Sequence, residues 1–308
     1  MSNPILLSDR SLAWVVSSVH PEATIVAARR LHGGVTTPIC VITLRVGEEV
    51  REVVLRQFED EEWLRQEPDL VRREAASLER ATRTAGVNAP RVIAVDEDGT
   101  RSGRPSTLMT RLEGTVDLSP PDLSRWLRGL ARTLASLHAA AAEPEAFPWT
   151  FKPYSDASRM DYAWSKTPRE WQAAIAIVAA GAPAFRQRFI HRDYHPANVL
   201  WSGEEVSGVV DWVNGCIGPA GIDVGHCRVN LAQLHGVPAA EEFLAHYREL
   251  AGDSFDYDPY WDLVTLIDFA DGQVDVYPGW TALGFTGLTD ELVKIRLETY
   301  LMSLLNKY

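Results

Sequence analysis

Two periodicities divide the chain. Residues 23–31, 38–46 and 50–58 are β-rich runs; the first two flank a turn carrying Gly33 and Gly34, and Gly47-Glu48-Glu49 between the last two is a hairpin signal. A helix is predicted over 69–84, where Pro68 stands near the start and Val71, Ala75, Leu78 and Ala81 recur at helical spacing. Residues 91–95 and 106–112 read as short strands around a turn region at 96–104. Past Glu113-Gly114 the pattern becomes helical, with helices predicted at 123–142, 169–180, 222–235, 239–250, 260–270 and 289–306. Within this part, 189–201 and 206–213 are apolar segments broken by polar residues, as in paired strands flanking a loop. The first residues offer only a short apolar stretch at 12–16. The expected class is α+β in two lobes: a β-rich lobe with one long helix over 1–112, a hinge near 112–114, and a larger, mainly helical lobe over 113–308.

Composition narrows the function. A chain of 308 residues can bury a core in each of two lobes. No apolar run approaches the ~20 residues of a membrane helix, and no secretory leader is legible, so a membrane role is not expected. Cys40, Cys216 and Cys227 form no CxxC pair, which fits a reducing cytoplasm better than a disulfide framework or a zinc site. The net charge of −12 disfavours nucleic acid as a partner. That charge is uneven. Through Leu112 there are 15 arginines, no lysine and 16 acids, whereas the remainder carries a net charge of −11. Because no lysine precedes Lys152, any cation working in the first lobe is an arginine or a histidine.

The strongest chemical signal is His191-Arg192-Asp193-Tyr194-His195-Pro196-Ala197-Asn198, which matches H-R-D-x-x-x-x-N. The spacing lets a carboxylate, Asp193, face an incoming hydroxyl while the amide oxygen of Asn198 reaches a metal on the phosphates. Thirteen residues later the apolar run Val209-Val210 ends in Asp211, the expected second ligand; magnesium favours such hard oxygens. Arg56, at the end of Val53-Val54-Leu55, is the cation best placed to meet nucleotide phosphates, and its guanidinium would do so as a planar fork. Glu74 on the long helix is its expected partner; the rival Glu79 lies about 140° further round. Gly33, Gly34 and Thr36 would let main-chain amides approach the phosphates. The alternative of a metallohydrolase is set aside, because no further histidine cluster supplies a transition-metal cage.

With Val54-Leu55-Arg56, Arg73-Glu74-Ala75, Leu137-His138, HRDYHPANVL and GVVDW, the chain resembles the aminoglycoside phosphotransferase family from about residue 23 to 235. The resemblance implies a protein-kinase-like fold with ATP between the lobes, magnesium, and transfer of the γ-phosphoryl group to a small hydroxylated molecule. It implies that main-chain groups at Thr110 and Leu112 form the adenine hinge, and that Asp223, with His191, braces the catalytic loop. His195 is expected to make a structural hydrogen bond and His138 to be a satisfied packing residue. Only eleven residues separate Asp211 from Asp223, with no activation segment, which disfavours a protein kinase. Asp258, Trp261, Asp262, Asp268 and Asp271 are read either as lining an acceptor cleft or as an acidic helical face. The acid excess of the second lobe favours an amine-bearing acceptor, an aminoglycoside or amino sugar. Macrolides, choline-like and homoserine-like alcohols remain alternatives, as does a silent nucleotide-binding protein. Protein partners are not legible.

Overall fold

The computed structural model describes residues 7–31, 39–140 and 147–308. Helix α1 (Asp9–Val19) opens it, capped by the Ser8 hydroxyl, which accepts from the Ser11 N–H. Strands β1 (Thr24–Arg30), β2 (Ile39–Val46) and β3 (Glu49–Gln57) follow, then the short α2 (Glu61–Gln66), the long α3 (Leu70–Arg83), and strands β4 (Val92–Asp96) and β5 (Ser106–Thr110). The five strands form one antiparallel sheet in the order β1-β2-β3-β5-β4. Its two faces are covered differently. Ile42, Leu44, Val53, Leu55 and Leu108 pack with Trp14 and Val15 of α1. Val41, Val54 and Met109 pack with Leu78 and Ala81 of α3.

After the sheet come α4 (Leu123–Ala139) and α5 (Pro168–Ala179), then four short strands: β6 (Gln187–Ile190), β7 (Val199–Ser202), β8 (Glu205–Val209) and β9 (Cys216–Pro219). Helices α6 (Ala220–His235), α7 (Val237–Ala251), α8 (Pro259–Ala270), α9 (Pro278–Ala282) and α10 (Asp290–Leu305) complete the chain. Helix α6 is the axis of this part, buried along most of its length. Inside it a charged group is fully satisfied. The unexposed Arg228 pairs with Asp262 and Glu241, and Asp262 also accepts from the hydroxyls of Tyr257 (2.7 Å) and Tyr300 (2.9 Å).

The predicted long helix is there, with Val71, Ala75, Leu78 and Ala81 all buried. Three helices were not foreseen, α1, α2 and the five-residue α9. Helix α1 shows little more than Trp14 and Val15 as an apolar face, and six-residue α2 is set by its Asp60 cap rather than by any periodicity. The segment expected at 189–201 also differs. It is split by a turn at Pro196–Asn198, so β7 pairs with β8 while β6 pairs with β9, a strand the pattern did not reveal. No helix among the described residues is long and apolar enough to cross a membrane.

Candidate active site

The alternation of β3 fixes where Arg56 points. Side chains two apart share a face, so Arg56 lies on the side of Val54 and faces α3. Glu74, one turn before Leu78, lies on the same buried stripe of α3. The two meet with Nη1 of Arg56 2.8 Å from Oε1 of Glu74, and Nη2 reaches Oδ1 of Asp211, also at 2.8 Å. One guanidinium thus ties together the sheet, α3 and the loop after β8. Arg56 and Glu74 are only 3% and 1% exposed. Burial works against charge on Arg56, but the Asp211 and Glu74 carboxylates outweigh it and raise its pKa. Burial pushes the Glu74 carboxyl up, against the pull of Arg56. Helix α3 holds the same loop through Arg73, whose Nε donates to the Val213 carbonyl at 2.7 Å. It also approaches closely at Gly215, where a Cβ would lie 2.4 Å from the Ser77 hydroxyl.

The loop after β6 is built on Asp223. This carboxylate, in the first turn of α6 and with no exposure, accepts the main-chain N–H groups of His191 and Arg192, both at 2.7 Å. It also meets Nε2 of His138 at 3.0 Å, and Nδ1 of that ring lies 2.7 Å from the Tyr247 hydroxyl. Burial alone would raise the Asp223 pKa, but the His138 contact and the main-chain donors bring it below the usual carboxylate value. His191 joins the loop to the strand end that carries Asp211. Its Nε2 faces the Val210 carbonyl at 2.9 Å and its Nδ1 the Asp193 N–H at 3.3 Å, so the Nε2–H tautomer satisfies both.

Arg192 (φ 69°) and Asp211 (φ 67°) are the only described non-glycine residues in the left-handed region. Such conformations persist where surrounding contacts over-determine them, and they gather at functional sites. Arg192 is held through its N–H on Asp223, its guanidinium on the Lys152 carbonyl, and its stacking over Phe151 (4.4 Å) and Tyr154 (3.8 Å). Asp211 is held by Arg56 and by the Val210 N–H, which donates to the Asn198 carbonyl at 2.9 Å.

Between these braces lie Asp193 and Asn198. Nδ2 of Asn198 donates to the Asp193 carbonyl (2.9 Å) and to its Oδ2 (3.1 Å), so the amide oxygen Oδ1 is turned to other partners. The other carboxylate oxygen, Oδ1 of Asp193, lies 3.0 Å from Nε2 of His226 and 3.8 Å from Nε2 of His195. Burial would raise the Asp193 pKa, but the hydrogen bond from His226 and the nearby imidazoles His195 and His191 draw it well below the carboxylate range.

Two expectations are corrected here. Among the described residues His195 makes no structural hydrogen bond through its ring: it is 8% exposed, its Nδ1 is buried without a partner, and burial lowers its pKa to about 4. A histidine cluster does form, because Asp193, His195 and His226 bring ligand atoms within 4.8 Å of one another. His226 was not singled out in the sequence, although it stands three residues after Asp223 on α6 and so on the same helical face. Tyr277, at the cap of α9, was also missed; burial raises its pKa first, and the Asp193 and Asp211 carboxylates add to that.

Gly33, Gly34 and Thr36 lie outside the described residues. At the end of β5, the Thr110 N–H and hydroxyl are both engaged by Arg91, whereas the main-chain groups of Leu112 make no hydrogen bond among the described residues. Asp258 caps α8, Asp262 is the buried partner of Arg228, Asp268 accepts from the Ser155 N–H and Asp271 from the Asp161 N–H. Trp261 is buried in an apolar cluster. These five residues therefore hold the helical part together. Two of them, Asp258 and Trp261, line a cavity of about 340 Å³ with Phe185, Arg188 and Gly221, which contains none of Arg56, Asp193, Asn198 and Asp211.

Residues 42–263 match the sequence model of the phosphotransferase enzyme family. The chain belongs to that family. Among curated relatives, a homoserine kinase of Methylocella silvestris is 33% identical over 156 residues, 46% of this chain and 47% of that protein. A homoserine kinase of Rhizobium etli is 30% identical over 138 residues, 42% of each. The chain thus aligns with about half the length of the curated relatives it matches. Among solved structures, aminoglycoside phosphotransferase APH(4)-Ia superposes with a TM-score of 0.59 at 16% identity, covering 96% of this chain and 99% of that one. Macrolide 2'-phosphotransferase MphH from Brachybacterium faecium gives 0.55 at 17%, covering 88% and 92%. At these identities the structures bear on the fold, which is the two-part, protein-kinase-like one.

Proposed function

We propose that this phosphotransferase moves the γ-phosphoryl group of ATP to a hydroxyl of a small amine-bearing molecule. The observation that carries the reading is the division of labour between the two faces of the Asp193–Asn198 pair. Asn198 spends its amide nitrogen on one oxygen of Asp193, which leaves its amide oxygen for a metal, while the other Asp193 oxygen meets His226. The donors on the first face are an amide oxygen and a partly exposed carboxylate, the hard set that suits magnesium with room for phosphate oxygens and water. Bound there, magnesium would neutralise charge on the β- and γ-oxygens. Arg56, paired with Asp211, would hold the phosphate tail, and the main-chain groups of Leu112 would offer a purine edge its donor and acceptor.

On the second face, Asp193 holds the acceptor hydroxyl in line. Its lowered pKa makes it a weak base, so orientation is its main contribution to a loose transition state that needs little early proton transfer. ATP is favoured as donor because a thermostable mutant of APH(4)-Ia, of the same fold, has been captured with AMP-PNP and hygromycin B.

The acid excess after Leu112 favours an amine on the acceptor, although the five residues first considered for an acidic cleft are engaged elsewhere. Aminoglycosides and amino sugars are therefore one class, and homoserine, favoured by the curated relatives, is the second reading. Acceptor-stimulated ADP release over a panel of aminoglycosides, amino sugars, homoserine, choline and neutral sugars separates them. Turnover confined to neutral or anionic alcohols, with no effect of salt on their KM, would reject an amine-bearing acceptor.

A further inference from the structure

His195 is a problem that phosphoryl transfer leaves unsolved. The residue is 8% exposed, and its ring makes no hydrogen bond among the described residues and presents Nε2 to an Asp193 oxygen at 3.8 Å, too far for one. An imidazole in that position loses its hydration without replacement. His226 faces the same oxygen from α6 at 3.0 Å, and its ring is 5.6 Å from that of His195. Phe269 packs on the His226 ring at 5.0 Å, so the three donors converge on one point beside an apolar wall.

We propose that Asp193, His195 and His226 form a second cation site, distinct in chemistry from the Asn198–Asp211 face, that takes a zinc-type divalent transition ion and arrests the enzyme. The geometry supports this. Ligand atoms around a tetrahedral zinc at about 2.0–2.1 Å stand ~3.3 Å apart. The distances here, 3.0 and 3.8 Å to the shared oxygen, straddle that value, and all three ligand atoms lie within 4.8 Å of one another, so binding would turn the two rings toward a common point. Two imidazole nitrogens with one carboxylate select zinc, cobalt, nickel or copper over magnesium, whose preferred donors are oxygens. Three protein ligands leave the fourth position to water or solvent. The site would give Nε2 of His195 a partner and fix the ring, while Nδ1 would stay against the surrounding protein. It would also occupy the Asp193 oxygen that faces the acceptor, while Asn198 keeps the other. Ion binding stands without the kinase reading; only the arrest rests on it.

The test is cobalt titration of the full chain free of magnesium and nucleotide, read by the visible d–d bands of four-coordinate Co2+, followed by zinc displacement against a chromophoric chelator. One equivalent is expected. His195→Gln and His226→Gln should each weaken zinc by more than the ~10–100-fold that follows loss of an outer-shell partner. His246→Ala, on α7 where the ring meets Arg128 of α4, should leave binding unchanged. Zinc should then lower turnover in magnesium, with the two glutamine variants resistant in proportion to their lost affinity. No spectral change, or binding that survives both glutamine substitutions, overturns the proposal. Zinc binding without effect on an active enzyme overturns the arrest alone.

Discussion

Arg56→Met removes the cation that two carboxylates share. Asp211 keeps partial access to solvent and is relieved by it, so the penalty falls mainly on Glu74, which is 1% exposed. Removing one member of a buried pair, and leaving the other uncompensated, costs about 3–5 kcal/mol. For a chain of this length that corresponds to a fall in Tm of roughly 5–10 °C. The sign of the pH dependence follows from Glu74. Burial already raises its pKa, and the strongest opposing influence is Arg56. Without Arg56 the folded state takes up a proton that the unfolded chain, with an ordinary carboxyl pKa of about 4.3, has lost at neutral pH. The variant's deficit is therefore largest near pH 7 and shrinks as pH falls toward ~5. Adding Glu74→Gln to Arg56→Met should restore much of the loss, because no buried charge remains. Urea unfolding of wild type, single and double variants across that range measures each term. A deficit below ~1 kcal/mol near pH 7, or one that neither pH nor Glu74→Gln alters, refutes the account of a shared buried cation.

Asp211→Asn should weaken nucleotide binding in magnesium more than in chelator, because the one charged oxygen of that face is lost; equal loss in both media would remove Asp211 as a ligand. His195 holds a pKa of about 4 in the folded protein against roughly 6.5 unfolded. The unfolded chain thus binds the proton first, and stability present above about pH 6.5 declines as pH falls through 4, by up to ~3 kcal/mol. Wild type should lose more stability over that window than His195→Gln, and parallel pH profiles in urea unfolding would contradict the shift.

The features that were legible in the sequence are those fixed by local spacing. HRDYHPAN carries Asp193 and Asn198 in one loop, so their contact needs only the turn at Pro196–Asn198. Arg56 was found by elimination, since no lysine precedes Lys152, and its contact with Glu74 follows from two periodicities on one buried face. Long-range packing set the remainder. That His226 faces Asp193 depends on how α6 docks beneath β6 through Asp223, which no spacing within α6 states. The acids of 258–271 looked alike in sequence. Their separate fates, a helix cap, a buried partner for Arg228 and acceptors for loop N–H groups, depend on residues as distant as Ser155 and Tyr300.

The central claim is that Asp193 directs the γ-phosphoryl group to an acceptor hydroxyl, and γ-labelled ATP followed in wild type and Asp193→Ala tests it most directly. The wild type should place the label on an acceptor hydroxyl, while Asp193→Ala, with nucleotide affinity nearly unchanged, should transfer it at least ~10²-fold more slowly. Equal transfer by both proteins would contradict the account, as would label that appears only as inorganic phosphate whatever acceptor is supplied.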